Sequence, residues 1–343
     1  MASVDELIGR RVALRHRVAT DDGRPLFTDS VGELTDDGPV AVLVHTRRGV
    51  VRVERNAVVA VRAIPPARPR RASLGAIARL EYLCADAWPA PLVRELGGWR
   101  LRAAGGFTGR ANSALAVGDP GVPIADALSQ VVEFAHAHEL RPLVQVAIDT
   151  PWQRAITGHG WVLHADHPAG ANVAVLVAPL DELPDGSVAR MTLSIDDEPG
   201  DGWWELSGDH PISEPQRQVL LAPDVTHTGF GTARTNGEVV GAVRAVVLED
   251  HLFISRLEVD DRYRRRGLGT ALMAAAAHWS RPRGGEWCVL QVSEHNEPAI
   301  ALYRRLGFTV HHRYQYLRPP DLVSVECGYG HTQHSRGFRR VRG

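Results

Sequence analysis

A chain of 343 residues has room for two or three domains with real buried cores. With 44% hydrophobic residues, 23% charged residues and a formal net charge of -1, it is ordinary globular material with no overall pull on nucleic acid or anionic membrane, so an anionic partner must be held locally. Cys84, Cys288 and Cys327 lie without metal or disulfide spacing, and neither MASVDELIGR nor any later run is apolar enough for a signal peptide or a membrane span, which predicts a reducing, cytoplasmic setting without membrane partners.

Residues 10–63 alternate apolar and polar in short runs: RRVALRHRV, SVGELTDDG and VAVLVHTRRGVVRVERNAVVAVRAI. That is strand patterning broken by Asp-Gly and Arg-Gly turns. Four or five such strands in so short a segment must curl to cover their edges, so residues 1–66 are expected to form a small SH3-like β-barrel. PPARPRRAS, 65–73, reads as a linker. From Leu74 the pattern is helical in LGAIARLEYLCADAW and strand-like in GWRLRAAG and RANSALAVG. It is helical again in IADALSQVVEFAHAHEL and closes on the strand PLVQVAID. A second series from about residue 190 runs through the strands THTGFGTART, EVVGAVRAVVLED and HLFISRLEV, a helix after Gly267, and the strand WCVLQVSE. Strands joined by crossover helices predict an α/β layer architecture.

The two series repeat one another. PLVQVAIDTPWQRAITGHGWVLHAD and CVLQVSEHNEPAIALYRRLGFTVHHR each have a Gln-Val strand, a short helix, then Gly-aromatic opening another strand. So short a match can arise by chance, but its place in two similar element orders marks tandem related units. They are expected at 67–186 and 187–320, followed by a basic tail at 321–343. That tail, with Arg336, Arg339, Arg340 and Arg342 and no acid in GYGHTQHSRGFRRVRG, reads as a solubilising terminus, with nucleic-acid contact the disfavoured alternative.

At the junction of HLFISRLEV and the following helix lies RLEVDDRYRRRGLGTAL, 256–272. A helix's first turn has unpaired N–H groups and a positive dipole end, and glycines at 267 and 269 let a phosphate approach. Arg264, Arg265 and Arg266 add charge there. A Walker loop is excluded because the chain contains no lysine, and the Rossmann G-x-G-x-x-G fails at Leu272. Taken alone, the stretch reads equally well as an arginine-rich solvated turn.

Its neighbours settle the choice. Arg264-Arg265-Arg266-Gly267-Leu268-Gly269 resembles the R/Q-x-x-G-x-G/A loop of the GCN5-related N-acetyltransferases (GNAT family), and NEPAIALYRRLGF resembles that family's second motif. The strong resemblance spans about 225–317, and the whole order is similar to a tandem, two-unit actinobacterial type with an N-terminal SH3-like domain. It implies a GNAT fold and acetyl-coenzyme A as cofactor. The backbones of Leu257 and Val259 would pair with the pantetheine arm, and the amides of Arg265, Arg266, Gly267, Leu268, Gly269 and Thr270 would hold the pyrophosphate. Asn296 would contact the pantetheine or the leaving arm, and Tyr303 would protonate the departing thiolate. The implied activity is direct acetyl transfer to a primary amine, with no covalent enzyme intermediate, so Cys288 is read as a core thiol. Where family members often carry a Glu base this chain has Gln291, which leaves Glu258, acting through a water, with Glu294 and Ser255 behind it. The first unit lacks the loop and has Ile156 at the place of Tyr303, so it is not expected to bind the cofactor.

The acceptor stays open between a small molecule and a peptide amine. GFTGRANS, with Thr108, Arg110 and Asn112, is either a source of substrate contacts or a hairpin turn. DDEPGDGWWELSGDH, 196–210, crowds six acids around Trp203 and Trp204. These residues either draw a cationic amine onto an indole face or form a solvated linker whose tryptophans plug the core. The histidine pairs have no ligand set, so no metal is expected. Two other readings remain: a sensor that binds acetyl-coenzyme A without turnover, and an adaptor whose SH3-like domain binds protein or RNA. A homodimer is compatible with all of them.

Overall fold

Period-two patterning does form strands at the N-terminus: β1 (Arg11–Val18), β2 (Leu26–Asp37), β3 (Ala41–Thr46), β4 (Gly49–Glu54) and β5 (Val58–Ala63). They make an antiparallel sheet in the order β4-β3-β2-β1-β5. Val12, Leu14, Leu34, Val42, Val44 and Val53 bury one face of it. Among the described residues β4 does not pair with β5, so by hydrogen bonding the expected barrel is an open five-stranded sheet. The computed structural model describes residues 3–18, 26–46, 49–64, 72–167, 170–183, 191–208 and 210–320, so the expected basic tail and Cys327 lie outside the described residues. This N-terminal sheet belongs to a compact unit, Met1–Arg70, separate from the unit Arg71–Gly343.

The second unit opens with α1 (Leu74–Asp86), whose N-terminus is capped by Ser73 Oγ accepting from the Ala76 amide at 3.2 Å. Next come β6 (Leu92–Leu96), β7 (Trp99–Ala103), β8 (Ala114–Ala116), α2 (Ile124–Ala137), β9 (Val144–Ala147), α3 (Pro151–Gly158), β10 (Val162–Leu163) and β11 (Asn172–Pro179). Then follow β12 (Thr192–Asp196), α4 (Asp201–Ser207), α5 (Glu214–Leu221), β13 (His227–Thr235), β14 (Glu238–Leu248), β15 (His251–Val259), α6 (Leu268–Ser280), β16 (Trp287–Ser293), α7 (Glu297–Arg305) and β17 (Thr309–Arg318).

The repeat read from sequence is visible in the elements. β8 runs parallel to β9 and β15 parallel to β16, the other pairings of this sheet being antiparallel. Thr150 caps α3 and Asn296 caps α7, each with proline in the first turn, and Gly160 and Gly307 both take φ near +85°.

The halves do not stand apart. All of these strands form one sheet, in the order β12-β13-β14-β15-β16-β11-β17-β9-β8-β7-β6 with β10 beside β17. β11 of the first half lies against β16 of the second, while β17 of the second half lies against β9 and β10 of the first. Each half thus lends its last strand to the other. Cores form on both faces of the second half. Leu252, Ile254, Leu272, Met273, Leu290 and Tyr303 pack together under α6 and α7, and Trp88, Trp203, Phe253, Val289, Tyr314 and Tyr316 pack together under α1, α4 and α5.

Candidate active site

The site begins with a break in strand pairing. β15 pairs with β16 from His251–Trp287 to Ile254–Leu290 and then parts from it. On its other edge, one residue of β14 between Ala242 and Arg244 faces two residues of β15 between Ser255 and Glu258. This is a β-bulge, with Arg256 in the left-handed region at φ +49°. A bulge bends its strand, and Ser255–Val259 have no ladder partner on β16 among the described residues. Leu257 and Val259, the pair that the resemblance put against the pantetheine arm, lie on this bulged stretch of β15 beyond its last pairing with β16.

The loop beyond it is braced by its own charges. Asp260 accepts from the Arg262 amide at 2.9 Å and from the Arg262 guanidinium, and the Arg262 hydrogen bonds pull its pKa down to about 2. Arg262 also reaches Glu238 at 2.6 Å. Arg264 donates to the Val259 carbonyl at 3.1 Å and pairs with Asp261 at 2.8 Å, so this arginine serves the loop before any ligand. Arg265 takes φ +58°, and Arg266 lies over the Tyr263 ring at 5.4 Å. Both are exposed, with no carboxylate in ion-pair reach among the described residues.

Gly267, at φ +85°, starts α6 without a side-chain cap. The first-turn amides of Leu268, Gly269 and Thr270 therefore have no partner within the helix. A Cβ on Gly269 would stand 3.2 Å from Leu302, so that glycine lets α6 approach α7 closely. Uncapped amides, two exposed guanidinium groups and an adjoining strand segment without a ladder partner on β16 fit the diphosphate and arm of acetyl-coenzyme A.

Tyr303 on α7 is 8% exposed and meets Phe308 edge to ring at 5.6 Å. Burial, helped by the charges of Cys288 and Glu258, pushes its hydroxyl well above the usual tyrosine range, which keeps it a proton donor. Glu258, half-buried, pairs with Ala242 at the bulge. Its two understudies are otherwise engaged. Ser255 is buried at 3.5 Å from the Arg244 guanidinium, and Glu294 accepts from Arg313 at 2.6 Å. Asn296 Oδ1 accepts from the Ala299 amide at 3.2 Å, so its placed role is to cap the helix that carries Tyr303. Cys288 is fully buried and its thiol is raised by that burial, as befits a core residue.

The expected substrate residues divide. Asn112 uses its whole side chain on its own loop. Oδ1 accepts from the amides of Ala104 and Gly106, and Nδ2 donates to the carbonyls of Phe107 and Thr108. It is a staple and not a substrate contact. Trp203 has no exposed surface and donates its indole N–H to the Val243 carbonyl at 3.1 Å, while Trp204 is 8% exposed under the Arg217 guanidinium. The tryptophans therefore plug the core under α4, which removes the indole face from the acceptor site. The acids Asp201 and Glu205 remain exposed on the helix surface. Arg110 reaches across to β16. Its Nη1 donates to Gln291 Oε1 at 2.9 Å, one residue beyond the last β15–β16 pair.

Sequence reasoning missed two neighbours. Trp88 carries Arg110 at 4.5 Å and Arg244 at 5.3 Å over its ring. Arg244, fully buried, donates to the carbonyls of Leu220, Ala87 and Val219 at the ends of α5 and α1. A lone arginine in the apolar run GAVRAVVL was a usable signal for it; nothing marked Trp88.

Comparison with known proteins bears on the family and the fold. Residues 75–317 match the family described as "Probable histone acetyltransferase Rv0428c C-terminal", and residues 7–62 match "Rv0428c N-terminal Sm-like domain". The chain is 29% identical over 313 residues to the probable histone acetyltransferase Rv0428c of Mycobacterium tuberculosis, covering 90% of this chain and 95% of that one. It is 23% identical to the uncharacterized N-acetyltransferase YobR of Bacillus subtilis, over 68% of this chain and 94% of that one. A solved GCN5-related N-acetyltransferase from Kribbella flavida superposes with a TM-score of 0.53 at 17% identity, covering 71% of this chain and 95% of its own. With a family match over most of its length, a small N-terminal β domain and this sheet, the chain belongs to the Rv0428c family and has the GNAT fold.

Proposed function

We propose that the chain transfers an acetyl group from acetyl-coenzyme A directly to a primary amine of a small molecule or peptide. One observation carries the reading: β15 parts from β16 at a bulge and leads into an uncapped helix start flanked by exposed arginines. Acetyl-coenzyme A supplies an activated thioester. The amides from Arg265 to Thr270, with Arg265 and Arg266, hold its diphosphate, and the backbones of Leu257 and Val259 take its arm. Tyr303, protonated across the working pH range, gives its proton to the departing sulfur. Glu258 accepts the amine proton through a water.

The word histone in the Mycobacterium tuberculosis relative's name puts peptide amines on the panel of acceptors to be tried. Thiol release across amines and peptides, with acetyl-coenzyme A affinity measured by calorimetry, tests the reading. Binding and turnover are expected. Absence of binding by the folded protein overturns it, and binding without thiol release for any acceptor makes the chain a sensor.

A further inference from the structure

The loop 104–112 is built to hold one guanidinium still. Four hydrogen bonds from Asn112, at 2.7 to 3.0 Å, fix its backbone. Trp88 clamps it from below by donating its indole N–H to Thr108 Oγ1 at 3.1 Å. Gly109 lies so close to His167 and Tyr316 that a Cβ would clash with both. Arg110, half-buried, rests on the Trp88 ring at 4.5 Å, and its Nη1 donates to a neutral amide, Gln291 Oε1. Among the described residues no carboxylate stands within ion-pair distance of it. Glu81, the buried acid of this face, is taken by His312 at 2.7 Å and Gln145 at 2.6 Å. The second guanidinium on the same indole, Arg244, spends its donors on helix carbonyls, and among the described residues no acid pairs with its charge. Two cations thus share one ring in a partly dehydrated place, where like charges repel and an anion is welcome.

Resting on the acetyltransferase reading, we infer that the acceptor amine carries a carboxylate, and that Arg110 is the residue that receives it. The position fits. Gln291 lies at the level of Ser255 and Glu258 lies two residues of β14 further on, about 7 Å at strand spacing, the scale of one small amine with its acid group. The chemistry fits as well. With Nη1 given to Gln291, the remaining edge of the planar guanidinium forks two parallel N–H groups toward a carboxylate. One fork and one available charge suit a monoanion; a phosphate dianion would need the donors that Arg244 has given to carbonyls. Because the loop and the indole are already ordered, little side-chain freedom is lost on binding.

The test compares amines that differ only at the acid group: amino acids against their carboxamides, dipeptides against dipeptide amides, and glycine against aminomethylphosphonate. Thiol release and saturation-transfer NMR are run on each. The carboxylate member is expected to win by at least tenfold in kcat/KM, and Arg110→Gln is expected to abolish that preference. Arg110→Lys should restore part of it. Circular dichroism and calorimetric affinity for acetyl-coenzyme A confirm that the variants are folded. Equal rates within threefold, a preference for the amide or the phosphonate, turnover of neither member, or a preference that survives Arg110→Gln overturns the inference. Failure of the wild type to bind acetyl-coenzyme A overturns the parent reading instead.

Discussion

Replacing Gly267 by Glu strikes the proposed diphosphate site at a backbone position that favours glycine. At φ +85° any side chain is strained by about 1 to 2 kcal/mol. A carboxylate there would also repel a phosphate held on the first turn of α6; at a separation of about 4 Å such repulsion runs from about 1 kcal/mol in water to about 4 kcal/mol near a protein surface. Gly267→Ala separates the two effects because it carries the strain without the charge. By calorimetry, acetyl-coenzyme A affinity should fall more than about tenfold in Gly267→Glu, or 1.4 kcal/mol. It should fall less than about threefold in Gly267→Ala, whose cost appears as a lowered Tm. A folded Gly267→Glu with unchanged affinity, or equal losses in both variants, refutes the placement of the diphosphate on α6.

Tyr303→Phe should lower kcat by roughly 10² to 10⁴ while acetyl-coenzyme A affinity holds, and a loss below threefold makes Tyr303 a packing residue. Because the folded-state pKa of Tyr303 is raised, the stability carried by its neutral phenol is intact below about pH 10 and falls as pH rises further, so urea melts of Tyr303→Phe should show a shallower alkaline decline. Glu258→Gln should cut kcat/KM for the amine by roughly 10² and remove the acidic limb of its pH profile; an unchanged profile moves the base elsewhere. Arg244→Met strips two short hydrogen bonds from the Leu220 and Ala87 carbonyls and should cost at least about 2 kcal/mol in urea unfolding, and a loss under about 0.5 kcal/mol would show those carbonyls satisfied another way.

Local chemistry was legible in local sequence. Alternation marked the strands, and the Gln-Val to Gly-aromatic match marked the repeat that reappears as two parallel strand pairs and two capped short helices. The helix start at Gly267 could be placed because an αL glycine and an uncapped first turn are properties of a few adjacent residues, but its reading as a cofactor loop came from the resemblance. Tyr303 and Glu258 were named instead through the resemblance to a family motif, which local physical chemistry alone does not supply. What failed to read from sequence was everything set by distant packing. Trp203 and Trp204 among six acids looked equally like a cation platform or a core plug, because nothing in that segment says which face α4 turns toward β14. Asn112 read equally as a substrate contact or a turn residue, and only the closed loop spends its side chain on its own backbone. The lending of β11 and β17 between halves, and the meeting of Arg110 with Gln291 across 181 positions, arise from strand order in the completed sheet. Dihedral preference and hydrophobic period act over a few residues, whereas strand order is selected by the burial of the whole sheet, so the reach of Arg110 across to β16 exists only once both halves have folded together.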